Sequence, residues 1–237
     1  MDGLLPFAIC NYKKGEIFIL DNRLTAVVSL LRDRKPVFDI GTDHGYIPVY
    51  VSKKSVKTYA ADINEKPLKA ALFNIRKHGS DAEIIFSDGL LSIDSALLFD
   101  CEIIIAGMGG EQISKILFDA KNINKINKSQ HFILQPMTKD EHLRRYLYAN
   151  GFYIENEIYV KDKYVYVIMS VYFTENNANP LEDELFYYAG MSVKRDDALS
   201  KEYKQMVANR LSDRVKAFGK DSEEYCYLTD IIQNITS

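Results

Sequence analysis

"DIGTDHGYIP" occupies Asp39 to Pro48, directly behind the apolar run Pro36-Val37-Phe38. An apolar run that meets two spaced glycines and then a second apolar stretch reads as strand, turn and helix start. The turn admits three uses: a cradle for a cofactor, a seat of catalysis, or a tight bend. Its spacing is D-x-G-x-D-x-G, not the dinucleotide pattern G-x-G-x-x-G. Asp43 stands where a pyrophosphate would be repelled, so the turn suits a neutral or cationic ligand.

Outward from this turn the chain alternates strand and helix patterns. A helix begins near Tyr46 and runs into "VSKKSVK" (51–57). "TYAAD" (58–62) is a second strand. Asn64 stands at the cap of the next helix, with Pro67 in its first turn and Gly79 at its end. "AEIIF" (82–86), "CEIIIAG" (101–107) and "HFILQ" (131–135) continue the strands, with helices at "EQISKILFDA" and "KDEHLRRYLYAN" between and after them. "FYIENEIYV" and "YVYVIMSVYF", joined by "KDK", read as an antiparallel hairpin. The expected fold is α/β: a seven-stranded, mostly parallel sheet with an antiparallel edge and helices on both faces.

"TENNANP" has linker composition, and only helical spacing follows it. Tyr203, Met206, Val207, Leu211, Val215 and Phe218 form one apolar stripe, and Tyr225, Leu228, Ile232 and Ile235 a second, with Gly219 between. A small C-terminal helical hairpin is expected. Residues 200–220 carry a net +4 and residues 221–237 a net −4. That division has two readings, mutual attraction of two solvated helices or contact of the basic one with RNA. Expected domain bounds are 1–20 for an atypical N-terminal segment, 21–175 for the α/β domain and 181–237 for the hairpin.

The 237 residues carry a net charge of −3, against a strongly basic nucleic-acid protein but compatible with a local basic groove. Apolar residues make up 47%, enough for an ordinary core. The three cysteines, Cys10, Cys101 and Cys226, are far apart and none lies in CxxC. A disulfide framework and a zinc cluster are unexpected, and a reducing cytoplasm is the expected compartment. The stretch Leu4–Cys10 is too short to span a bilayer, so no membrane association is expected. No metal-ligand cluster, P-loop or nucleophile-elbow serine is present.

Ligands of a doubly wound sheet gather at the carboxyl ends of its strands. Asp39, Gly41, Asp43 and Gly45 follow the first strand, Asp62 and Ile63 the second, and Asp88 and Gly89 the third. Ala106, Gly107, Met108, Gly109 and Gly110 follow the fourth, and Gln135–Met137 the fifth. Acids at three strand ends suit a nucleoside with a cationic tail: one on the ammonium side, one on the ribose diol, one on the adenine amino group. S-adenosyl-L-methionine has that form and lacks phosphate. The plainer alternative is that the glycines serve turns and the acids cap helices. His44 is either a base or a brace of the turn. Tyr46 either stacks on a target base or packs at the helix start.

Taken together, "DIGTDHGYIP", "ADINEKPLKAALFNI", "SDGL", "IIAGMGGEQISKIL", "FILQP", "LRRYLYANGFYIENE" and "VKDKYVYVI" resemble the bacterial TrmK family of tRNA (adenine(22)-N1)-methyltransferases. The resemblance runs from about Asn22 to Tyr172 and more loosely beyond. It implies a class I, Rossmann-like methyltransferase fold with a C-terminal helical hairpin, S-adenosyl-L-methionine as methyl donor and tRNA as partner. It places Asp39, Gly41 and Asp43 in the first cofactor motif, with Ala106 and Gly107 also at the cofactor. Asp62 and Ile63 come at the ribose and Asp88 and Gly89 at the adenine. Asp43, His44, Tyr46, Met108, Gly109 and Gly110 would line the methyl-transfer site. The chain departs from the family in its first twenty residues, in its short hairpin, and at Met137, where asparagine is expected. Basic groups for RNA phosphates are sought at Arg32, Arg34 and Lys35, at Lys53, Lys54 and Lys57, or at Arg144 and Arg145. Alternative readings are a methyltransferase of another substrate, a non-catalytic cofactor- and RNA-binding protein, and an NAD-dependent oxidoreductase.

Overall fold

A computed structural model describes residues 10–11, 17–32, 34–54, 56–175 and 184–236. The linker at Asn176–Pro180 and most of the N-terminal segment lie outside the described residues. Two short strands, β1 (Cys10–Asn11) and β2 (Ile17–Phe18), pair antiparallel ahead of the main body. Helix α1 (Asn22–Ser29) follows, capped by the Asp21 carboxylate, which accepts from the Leu24 N–H at 2.6 Å. Leu24, Val27 and Val28 fall on one face at helical spacing and pack over the sheet. The sequence reading starts its elements at Pro36 and misses this helix, although Asp21 followed by that spacing is its signal.

The main sheet has seven strands in the order β5-β4-β3-β6-β7-β9-β8. They are β3 (Val37–Ile40), β4 (Thr58–Asp62), β5 (Glu83–Phe86), β6 (Glu102–Gly109), β7 (His131–Thr138), β8 (Phe152–Lys161) and β9 (Val165–Phe173). The first five pair in parallel, and β9 and β8 run antiparallel at one edge. Helices α2 (Tyr46–Ser52), α3 (Glu65–Lys77), α4 (Gly110–Asn122) and α5 (Asp140–Ala149) fill the connections. Strand order reverses between β3 and β6, which places a crevice at their carboxyl ends.

Along β3 the side chains alternate between two cores. Phe38 and Ile40 join the core under α4 and α5, and Val37 joins the one under α1 and α2. Asp39 shares the face of Val37, so its carboxylate is carried inside by strand alternation alone.

Two expected boundaries move. Helix α2 stops at Ser52, a turn before the expected "VSKKSVK" end. The fourth strand does not stop at Gly107: β6 continues through Gly109, with irregular register on either side of Met108, and α4 starts at once at Gly110. Gly107 takes φ +81°, a left-handed conformation that lets the strand bulge without ending.

Beyond the linker, α6 (Glu184–Ala189), a 3-10 turn (Gly190–Lys194), α7 (Ala198–Val215) and α8 (Glu223–Thr236) follow. The last two form the expected hairpin; α6 and the turn are not separately legible in sequence. Phe186, Tyr203, Val207, Leu211 and Leu228 share one continuous apolar core with the sheet. Arg144 on α5 is wholly buried there. Its guanidinium meets Glu157 at 2.6 Å and Asp140 at 3.2 Å, and donates to the Tyr187 and Tyr188 carbonyls and the Tyr203 hydroxyl. This corrects Arg144 as a phosphate contact, because a group so enclosed cannot reach RNA.

Candidate active site

The crevice at the reversal point holds a cavity of about 310 Å³. Three elements form its wall: Asp21, Arg23 and Leu24 from α1, the run Gly41–Ile47 with Asp39, and Ala106–Met108 from the β6 bulge. The structure therefore brings together Asp39, Gly41, Asp43, His44, Tyr46, Ala106, Gly107 and Met108. It adds Asp21 and Arg23, which the sequence reading missed together with their helix.

Asp39 is 6% exposed at this wall. Burial pushes its carboxyl up to about 6, and Asp62 adds to the rise, while the Thr42 hydroxyl and Arg23 oppose it. A buried carboxylate that stays hard to ionise is short of a cation. The loop behind it is pinned to β4, since the Gly41 and Thr42 N–H groups both donate to the Ala61 carbonyl, at 2.8 and 3.0 Å. Gly41 has φ +77°, a left-handed conformation that favours glycine, and a Cβ there would also push the Met108 methyl aside.

At the outer rim Asp43 and His44 are exposed, with Oδ2 and Nε2 3.2 Å apart. The His44 ring stacks with Tyr46, centroids 5.3 Å apart and 25° between planes. Asn74 of α3 donates to the His44 carbonyl at 2.8 Å. His44 is thus held through backbone, carboxylate and ring, while an edge of the Asp43–His44–Tyr46 group faces solvent.

On the opposite wall the Oε1 of the buried Gln135 side chain accepts from Arg23 Nη1 at 2.8 Å and from the Gly107 N–H at 3.1 Å. Gln135 thereby fixes both the bulge and the guanidinium. Met137 is exposed and accepts weakly from the Gln135 amide at 3.5 Å.

The remaining candidates lie outside the lining. Asp62 ends β4 and accepts from the Asn64 N–H at 2.6 Å, beside exposed Ile63. Asp88 is exposed just beyond β5, and the Ser87 N–H donates to the Asp62 carbonyl at 3.0 Å, so both acids sit on one rim. A Cβ on Gly89 would come within 2.8 Å of Ile116, and one on Gly110 would strike the Lys139 carbonyl. Gly110 and Gly89 therefore have packing reasons to be small, while a Cβ on Gly109 would meet only the Thr138 hydroxyl at 3.3 Å. Among the described residues no group of His, Cys, Asp or Glu is gathered as a metal site.

Residues 20–169 match the family model described as a methyltransferase domain. The chain belongs to the methyltransferase-domain family. Within that family it groups with the TrmK proteins. It is 29% identical over 204 residues to a Mycoplasma pneumoniae protein named as a tRNA methyltransferase, covering 84% of this chain and 90% of that one. It is 31% identical over 147 residues to the tRNA (adenine(22)-N(1))-methyltransferase of Bacillus subtilis, covering 60% of each. The M. capricolum TrmK structure in complex with S-adenosyl-homocysteine superposes with TM-score 0.74 at 25% identity, over 91% of this chain and 96% of that one. The crevice of this methyltransferase domain fits such a cofactor by its donor set. Buried Asp39 suits an ammonium, the Arg23 guanidinium suits a carboxylate, and no array of phosphate-binding amides is needed.

Proposed function

We propose that the protein transfers a methyl group from S-adenosyl-L-methionine to N1 of adenine at position 22 of tRNA. The single observation that carries the chemistry is the buried Asp39 carboxylate at the cavity wall, with the exposed Asp43–His44–Tyr46 group at the mouth. Bound in the crevice, the cofactor supplies an electrophilic methyl on a sulfonium. Asp39 would hold the ammonium of its amino-acid part, with Asp62 and Ile63 at the ribose and Asp88 and Gly89 at the adenine. Gly41, Ala106 and Gly107 give it close backbone approach.

Adenine N1 already carries a lone pair, so the protein's task is orientation rather than deprotonation. Positive charge grows on the base as the new bond forms, and the Asp43 carboxylate stabilises it. N1 lies on the Watson–Crick edge, so the nucleotide must leave its stack. Tyr46 and His44 hold the displaced ring against Met108, Gly109 and Gly110.

We place the catalytic domain at 21–175 and the helical hairpin at 181–237, behind an N-terminal segment at 1–20. No helix among the described residues is long and apolar enough to cross a membrane, and a cytoplasmic tRNA enzyme agrees with that. Incubation of unmodified tRNA with labelled donor, followed by mapping of the labelled nucleoside, tests the assignment. The expected product is 1-methyladenosine at position 22. Label on another atom would overturn it. Stabilisation by S-adenosyl-homocysteine but not by NADH separates methyl transfer from the oxidoreductase alternative.

A further inference from the structure

Helix α3 packs inward through Leu68, Ala71 and Ile75. Its opposite face presents Lys66, Lys69, Phe73, Arg76 and Lys77 at helical spacing. Phe73 is 67% exposed, in the middle of four cations. Lys69, Leu72, Phe73, Arg76 and Lys77 line a shallow groove along this face. The one carboxylate of the helix, Glu65, pairs with Lys69 at 2.8 Å, both well exposed, which neutralises little. Among the described residues neither Lys66 nor Arg76 meets a carboxylate.

Five of the basic groups first considered for RNA are drawn into other contacts. Arg32 pairs with Glu155, Lys35 with Asp100, Lys57 with Glu83 and Arg145 with Glu184, while Arg144 is buried. On α7, Arg210 is held by Asp140 and Glu141, and Lys216 by Asp213. The α3 face gathers four cations against the single carboxylate of its helix, in a chain that is net negative.

Its position matters as much as its charge. Asn74 of α3 holds the His44 carbonyl, and a Cβ on Gly45 would come within 3.0 Å of Ala71. The helix is therefore clamped to the loop that carries His44 and Tyr46. Cations flanking an exposed aromatic ring suit a nucleic-acid strand, with phosphates on the cations and an unpaired base on the ring. The geometry points to α3 as the RNA track of this enzyme. Lys66, Lys69, Arg76 and Lys77 contact phosphates near the target nucleotide, and Phe73 stacks on an adjacent unpaired base. This inference rests on the tRNA reading and adds where the RNA lies.

The test uses the full chain with Lys69→Gln/Arg76→Gln/Lys77→Gln and, separately, Phe73→Ser. All four residues are outside the cavity. Affinity for unmodified tRNA is measured across a salt series, with methyl-transfer kinetics and thermal stabilisation by S-adenosyl-homocysteine. The triple variant is expected to flatten the slope of log affinity against log salt by about 2 to 3. Phe73→Ser is expected to weaken tRNA binding about tenfold. In both, the tRNA KM rises while kcat and the S-adenosyl-homocysteine response hold. Wild-type tRNA affinity and salt slope in both variants, beside normal methylation by the parent, would overturn the α3 track alone. So would a dimer that Phe73→Ser dissociates without loss of tRNA affinity. A parent chain that methylates no tRNA would overturn the tRNA reading and the track together.

Discussion

The cavity at Asp39 and the cluster around Arg144 both take charge out of water, and they resolve it in opposite ways. Arg144 is enclosed by two carboxylates, two backbone carbonyls and a tyrosine hydroxyl. Burial alone would raise Asp140, but Arg144 and Arg210 outweigh it and hold its carboxyl below the usual range. Asp39 also gains from Arg23, yet burial wins, and its carboxyl is pushed up to about 6. Paired buried charge makes architecture, here the joint between the C-terminal helices and the sheet. Buried charge that lacks compensation makes a binding site.

The comparison breaks most visibly at the joint. Arg144→Ala leaves Asp140 and Glu157 buried without their partner and is expected to cost about 3 to 5 kcal/mol, read by urea denaturation. A loss under about 1 kcal/mol would show that the cluster does not hold the helices. At the rim, Asp43→Asn is expected to lower kcat by about 10² to 10³ while S-adenosyl-homocysteine binds as before. Near-normal kcat would remove the electrostatic role of Asp43.

Asp39 gives a pH signature with two opposed trends. Its carboxyl is raised in the fold, so the ligand-free protein gains stability from this group as pH falls from about 6 toward the ordinary 3.8. A cationic ligand needs the ionised form, so cofactor affinity is expected to drop about tenfold per unit below pH about 6. Asp39→Asn should weaken S-adenosyl-homocysteine by about tenfold or more and abolish that dependence, as measured by calorimetry across pH. A pH-independent affinity in the parent would place the cationic group elsewhere. The smallest effect is expected from Gly110→Ala. The added methyl meets the Lys139 carbonyl, for about 1 to 2 kcal/mol of stability. Unchanged stability would show that the Lys139 carbonyl yields to the added methyl.

Much of this was readable in the chain. The seven strands and the helical hairpin follow from apolar periodicity, because a buried face imposes a repeat of two or 3.6 on the residues that form it. The motif at Asp39–Pro48 was legible because a strand-to-helix turn needs glycine at fixed places. Its central Asp43 argues on charge against a pyrophosphate ligand. Helix α1 was not read: one cap and eight residues give a weak periodic signal. With it Arg23 was lost, although Arg23 faces Asp39 across the cavity.

What the tertiary structure alone decided is which charges meet. Sequence put Arg144 beside Arg145 as an apparent basic pair. Folding buried the first between Asp140 and Glu157 and left the second at Glu184. Sequence likewise ended the fourth strand at Gly107 and set "AGMGG" at its end, whereas pairing with β7 and the Gln135 amide made it a bulged strand. Periodicity is a local property of the chain. Ion pairing and strand register join residues tens of positions apart, and only packing selects among the partners on offer. Asp39–Pro48 carried its own chemistry in its spacing. The fold contributed the burial that lifts Asp39, the α1 wall opposite it and the basic face of α3 beside its mouth.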